Sequence, residues 1–106
     1  MAKRYKIVVF VPKAQGAAIR QALGEAGAGR IGAYLYCSFT STGVGRFLAL
    51  EGARPAIGAV GELAEVEEER IEMVCEAEFL SGALRAVREV HPYEEPAIDV
   101  YPIEFV

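Results

Sequence analysis

The sequence predicts a single α+β domain in the order β-α-β-β-β-α-β, a mainly antiparallel sheet with two helices on one face, and three observations carry that expectation. Runs rich in β-branched and aromatic residues stand near both ends and in the middle of the chain. Two runs of helical apolar period interrupt them, one in each half. The 106 residues, 53% hydrophobic and 25% charged, suffice for one core and leave little surplus for a second module.

The first strand is read from Tyr5 to Val11, where Ile7, Val9 and Val11 point one way and Val8 and Phe10 the other, the pattern of a central strand covered on both sides. From Lys13 the period changes to helical, with Ile19, Ala22, Leu23 and Ala26 on one stripe. Pro12 suits the start, and Gly27 and Gly29 end the helix in left-handed conformations. Ile31 to Ser41 reads as the next strand, apolar on both faces. A Thr42-Gly43 turn then leads to a short strand from Arg46 to Leu50, a hairpin in which Gly43-Val44-Gly45 is a poor phosphate cradle because no helix follows it.

Glu51 to Ala64 keeps no period and is read as an irregular excursion of the kind that often carries function or covers a neighbouring subunit. Glu65 to Glu76 is a long strand whose acidic start, Glu65, Glu67, Glu68 and Glu69, suggests a solvated edge that discourages pairing. Leu80, Ala83, Leu84, Val87 and Val90 mark the second helix. His91 and Pro92 end it, because a proline disfavours helical geometry in the residue before it. Pro96 keeps the chain extended into a closing strand through Ile98, Val100, Tyr101 and Ile103. Two β-α-β units in succession fold on the ferredoxin-like plan, with right-handed crossovers. Two helices shelter one side of such a sheet. With about 25 cal/mol at stake per Å² of apolar surface, the other side is expected to be buried by copies of the chain, joined through sheet faces in a closed homo-oligomer.

A formal net charge of −4, with Lys and Arg scattered, argues against a nucleic-acid partner. No run is long enough to span a bilayer, and the apolar run at Ile7 to Val11 is cut off by Pro12 before signal-peptide length, so a cytoplasmic protein is expected. Cys37 and Cys75 lie in apolar runs, where reduced thiols serve as small buried hydrophobes.

The run from Val90 to Ile103 concentrates the chemistry: the chain's one histidine, three of its five prolines and the adjacent carboxylates Glu94 and Glu95. His91 has two readings, a helix terminator bonded to nearby carbonyls or a ligand that joins Glu94 or Glu95 to hold a divalent cation, with water or a neighbouring subunit completing the set. An acid–base pair at Glu94 and Glu95 is disfavoured because adjacent side chains of an extended segment diverge. Tyr93 and Tyr101 read as packing aromatics, and Arg46 and Arg70 as candidates for an anion in a subunit cleft.

Several motifs match together: Lys6 through Pro12, Ala26 through Gly32, Cys37-Ser38-Phe39, Gly43 through Phe47, Pro55 through Gly58, the series Glu68, Arg70 and Glu72, and His91-Pro92-Tyr93-Glu94-Glu95-Pro96. Over almost its whole length the chain resembles the small stand-alone proteins of the Nif-three-like (NGG-one-interacting-factor-three-like) family, relatives of which also occur as an insert within larger members. The His-Pro-Tyr-Glu run also looks like a turn of the CutA divalent-cation-tolerance proteins. The resemblance implies a PII-like and CutA-like ferredoxin fold over residues 4-106, usually trimeric. The larger members' two-metal centre lies in flanking domains and is not carried over, and Leu35 and Tyr36 stand where members often have a polar pair. The function expected is a non-catalytic homotrimer binding a small ligand or divalent cation at subunit clefts, with His91, Glu94 and Glu95 as the cation ligands. The alternatives are a structural or protein-interaction trimer without ligand and, last, a hydrolase.

Overall fold

A computed structural model describes residues 3–104. Its elements are β1 (Arg4–Pro12), α1 (Gly16–Glu25), β2 (Phe39–Leu48), β3 (Leu63–Glu76), α2 (Ala77–Val90) and β4 (Ile98–Ile103), with a 3-10 turn, Lys13–Gln15, leading into α1. The sheet order is β2-β3-β1-β4, antiparallel throughout. Each helical connection therefore skips one strand, as the ferredoxin-like plan requires. Both helices pack on one face: Ile19 and Leu23 of α1 and Ala83 and Val87 of α2 meet Ile7, Val9, Val11, Ile71, Met73 and Cys75 of the central strands in one buried cluster. Arg4 pairs with Ile103 at one end of the β1–β4 ladder and Val9 with Ile98 at the other.

Local sequence explains the helix ends. Gly27 at φ 108° lets the chain leave α1 while the Ala28 N–H returns to the Leu23 carbonyl at 3.0 Å. Gly29, at φ 81°, is a close approach as well as a turn, since a Cβ there would sit 2.8 Å from the Cys37 backbone. At the end of α2 the His91 N–H still bonds the Val87 carbonyl at 3.0 Å, but its ψ of 132° is extended, as the following Pro92 dictates.

Several expectations need correction. The hairpin expected around Thr42-Gly43 does not exist: β2 runs unbroken from Phe39 to Leu48, with Thr42 and Gly43 paired to Glu69 and Glu68. Residues 31–38 form a loop instead of a strand, because Tyr36 adopts φ 60° and lays its ring over Gly24, where a Cβ would lie 2.0 Å from the ring. The order is therefore β-α-β-β-α-β with four strands. The acidic start of β3 is a sheet edge only in part: β2 pairs alongside it from Leu48↔Leu63, but β1 reaches only Glu68, so Glu65 and Glu67 keep one open side while Glu68 and Glu69 are paired on both. Alternation puts Glu65, Glu67 and Glu69 on the helix side, where Glu65 meets Arg46 at 3.2 Å, Glu67 meets Lys13 at 3.3 Å and Glu69 meets Arg20 at 2.8 Å, and sends Glu68 to the other face.

The face away from the helices is not the continuous apolar surface that the strand pattern implied. Val8 is fully buried there and Phe10 half-buried, but Lys6, Arg70, Glu72 and Asp99 share that face by register. Bare apolar side chains gather toward β2 on both faces of the sheet: Phe39 shares the outer face with Glu72, Val44, Leu48 and Leu63 stand on the helix side of the β2–β3 pair, and Tyr34 and Leu35 lie in the loop before β2, all about half exposed or more. β1 pairs with β3 only as far as Glu68, whereas β2 follows β3 to Leu63. Beyond that point the two strands project as a ribbon, and the molecule measures 47 × 24 × 22 Å. Its accessible surface is 6814 Å². A compact monomer of this mass would expose only about 5,800 Å².

Candidate functional site

The elbow between α2 and β4 leaves the helix layer, rounds the end of β1 and sets its side chains against the opposite face of the sheet. His91 is its anchor and is buried. Nε2 lies 2.8 Å from the carbonyl oxygen of Phe10, and the Tyr93 backbone N–H donates to Nδ1 at 3.1 Å. A carbonyl can only accept, so Nε2 carries the proton and Nδ1 offers its lone pair to Tyr93: the ring is neutral and both nitrogens are engaged. The Phe10 N–H bonds Ala97 at 3.1 Å. The imidazole thus supplies to Phe10 the second bond of a ladder that β4, starting at Ile98, does not reach.

Tyr93 carries the elbow onto β3 and β2. Its hydroxyl donates to Glu68 Oε2 at 2.9 Å, and its ring meets Phe47 edge-on with centroids 5.9 Å apart. Gly45 makes this possible, because a Cβ there would stand 2.0 Å from Glu68 Oε1. Burial, then the bond to Glu68 and that group's charge, push the Tyr93 phenol well above its ordinary value of 10.0. The folded chain therefore holds this proton more tightly than the unfolded chain does. Its stabilising contribution is complete below pH 10 and is lost as pH rises beyond it. The expected result is that the stability gap between wild type and Tyr93→Phe narrows from pH 8 to pH 11 in urea melts; a constant gap would contradict the Tyr93–Glu68 bond. Cys75, whose thiol is also pushed up by burial and by Glu76, titrates in both proteins and cancels from the difference.

Beside Glu68 a cleft of about 340 Å³ opens over β2, β3 and the end of β1, on the sheet face away from the helices. Phe10, Ser41, Gly43, Gly45 and Arg70 help line it. Arg70 lies over the Phe10 ring, 5.4 Å from the centroid, with Glu72 3.4 Å from its Nε. Gly43 has open space where a side chain would stand, so the strand backbone itself is a wall of the cleft. The cleft offers an aromatic surface, a guanidinium, a carboxylate, a hydroxyl and peptide groups at once, a set suited to a small polar molecule.

The residues singled out from sequence are distributed as follows. Glu94 Oε1 accepts the Arg54 backbone N–H at 3.0 Å, tying the elbow to the 51–62 excursion, and Glu95 is exposed. His91, Glu94 and Glu95 do not converge, and among the described residues no group of three His, Cys, Asp or Glu is placed to hold a metal. Arg46 pairs with Glu65 on the helix side of the ribbon while Arg70 faces the cleft, so the two do not meet. Sequence reasoning missed Glu68, which it had counted with the solvated carboxylates, and missed the part of Gly45. The even position of Glu68 in an alternating strand, opposite a glycine, was the available signal.

No family model matches the chain. A curated Bacillus subtilis protein named GTP cyclohydrolase 1 type 2 homolog is 48% identical over 99 residues, 93% of this chain and 26% of the relative. A solved Bacillus cereus protein related to NIF3 superposes with a TM-score of 0.85 at 43% identity, covering 99% of this chain and 27% of that one. The periplasmic divalent cation tolerance protein CutA from Archaeoglobus fulgidus shares the fold at 19% identity, with a TM-score of 0.70 over 97% of this chain and 86% of CutA. The chain spans about a quarter of the length of the curated relatives it matches. The Nif-three-like resemblance therefore holds for one segment of those longer proteins: this chain is a homologue of that segment, an α+β domain on the plan it shares with CutA.

Proposed function

We propose that the chain is a non-catalytic homotrimeric module that takes a small polar ligand in clefts completed where subunits meet. The observation that carries this reading is the position of the 340 Å³ cleft beside β2, a strand whose outer edge is unpaired among the described residues and whose flank on the cleft's face carries bare Phe39, with exposed Tyr34 and Leu35 in the loop before it. A partner seated on that flank would wall the cleft's open side. Burial of such a patch also supplies the driving force for assembly. The trimer follows the resemblance, and the flank replaces the sheet face as the contact surface. The reaction named for the longer relatives is not assigned to this chain, whose Glu94 is engaged with the Arg54 backbone and whose His91 has both nitrogens bonded.

Screening small polar metabolites and nucleotides by thermal shift on the assembled protein tests the ligand: a cleft binder raises Tm by mass action, and Arg70→Ala abolishes the rise. Absence of any shift across a broad panel would favour the other reading, an interaction trimer without ligand, for which the apolar flank alone suffices.

The donor set supports a polar organic ligand over a divalent cation, because a cation at His91 must first displace Phe10 or Tyr93 from the ring. Zinc and copper at tenfold excess are expected to leave Tm unchanged. A metal-induced rise that disappears in His91→Gln would restore His91, Glu94 and Glu95 as a cation site shared between subunits.

A further inference from the structure

We infer that the elbow between α2 and β4 is a latch that fixes the angle of the β2–β3 ribbon, so that the ribbon presents its bare apolar side only while Tyr93 and Glu94 hold it. The inference rests on the assembly reading above for the use of that side, and on geometry for the latch itself. Residues Val44–Leu48 and Leu63–Glu67 are paired to each other and lie beyond the last β1–β3 pair at Glu68. A two-stranded ribbon is marginal by itself and bends easily, so what holds it to the body decides its direction.

The holding contacts come mainly from one side. At the ribbon's base the Tyr93 hydroxyl bonds Glu68 at 2.9 Å; further out the Tyr93 ring meets Phe47. In the connection between the two strands, the Arg54 N–H donates to Glu94 at 3.0 Å. The excursion folds back on the same side, where a Cβ at Gly58 would come 3.2 Å from the Ala64 Cβ. On the opposite side, among the described residues, the ion pair between body and ribbon is Lys13–Glu67, with side chains 55% and 67% exposed. Such a pair holds little. That second side carries Val44, Leu48 and Leu63, which are 54%, 49% and 67% exposed. Latching one face thus leaves the other bare and in a fixed orientation. Tyr93 and Glu94 are positioning residues in this account, and His91 is the pivot that fixes the turn carrying them.

Hydrogen exchange read by mass spectrometry on the full chain tests the latch, in wild type, Tyr93→Phe, Glu94→Ala and the double variant. Tyr93→Phe keeps the ring on Phe47 and removes only the hydroxyl. Amides of residues 44–67 are expected to exchange roughly 5- to 30-fold faster in the double variant, the factor by which loss of two bonds of about 0.5–1 kcal/mol each changes an opening equilibrium. Amides of β1 and α2 should keep their protection. Unchanged exchange over 44–67 in a folded double variant would overturn the latch. A Gly45→Ala variant, which displaces the Glu68 carboxylate, should reproduce the Tyr93→Phe result. Sedimentation separates the two readings: a monomeric wild type sinks the assembly reading while exchange still decides the latch, and faster exchange with undiminished assembly overturns the claim that the latch presents the contact face.

Discussion

Replacing His91 with alanine is expected to cost the domain about 2–4 kcal/mol, because two buried bonds lose their partner at once and each orphaned group carries its own desolvation penalty. The Phe10 carbonyl and the Tyr93 N–H are the groups left behind. For a domain near 100 residues this lowers Tm by roughly 10–25 °C, measured at fixed protein concentration so that assembly does not confound the comparison. His91→Gln, whose amide N–H₂ can still reach toward the Phe10 carbonyl, should recover part of the loss. A His91→Ala protein that melts with wild type would mean that the imidazole anchors nothing, and the account of the elbow would fail with it. The effect concerns stability first; any loss of ligand binding follows from the displaced elbow.

The second large effect is on assembly. Purified chain at 10 μM is expected to sediment as a closed oligomer, and Leu48→Lys with Leu63→Glu to sediment as a monomer. These two residues are direct partners across the ribbon, so the substituted pair is oppositely charged, leaves the net charge unchanged and favours the ladder itself. What it removes is apolar burial against a neighbour, about 1.5–3 kcal/mol for each leucine. Two per interface weaken association by roughly a hundred- to ten-thousand-fold. Circular dichroism and a cooperative melt in the variant would show that the protomer survives. An oligomer that persists in the variant would move the contact surface elsewhere, and a monomeric wild type would remove the subunit cleft from the proposal.

Much of the architecture was legible because periodicity reports which face of an element is buried. The alternation of Tyr5–Val11 matches β1 to within one residue at each end, and the helical stripe of Leu80, Ala83, Leu84 and Val87 lies inside α2, which begins three residues earlier at Ala77. The stretch from Ile31 to Leu50 was misread for a definite reason. Thr42-Gly43 has turn chemistry, but β3 offers a continuous partner along it, and ladder bonds outweigh a local preference that costs at most about a kcal/mol. The true break is at Tyr36, a residue type that rarely takes positive φ and does so here while its ring covers Gly24.

The site divides in the same way. Residue order alone indicated that a helix stops at His91, since Pro92 disfavours the helical conformation before it, and that Glu94 and Glu95 diverge as neighbours in an extended segment. It also fixed that two helices cover one sheet face. Only the tertiary fold decided what those residues meet: that the imidazole completes the β1 ladder in place of β4, that Tyr93 reaches Glu68 across the ribbon, and that the bare apolar surface lies on the β2 flank. The reason is that turns and stripes are set by interactions between residues a few positions apart, whereas Phe10 and His91, or Glu68 and Tyr93, are brought together by strand register, which depends on every element between them.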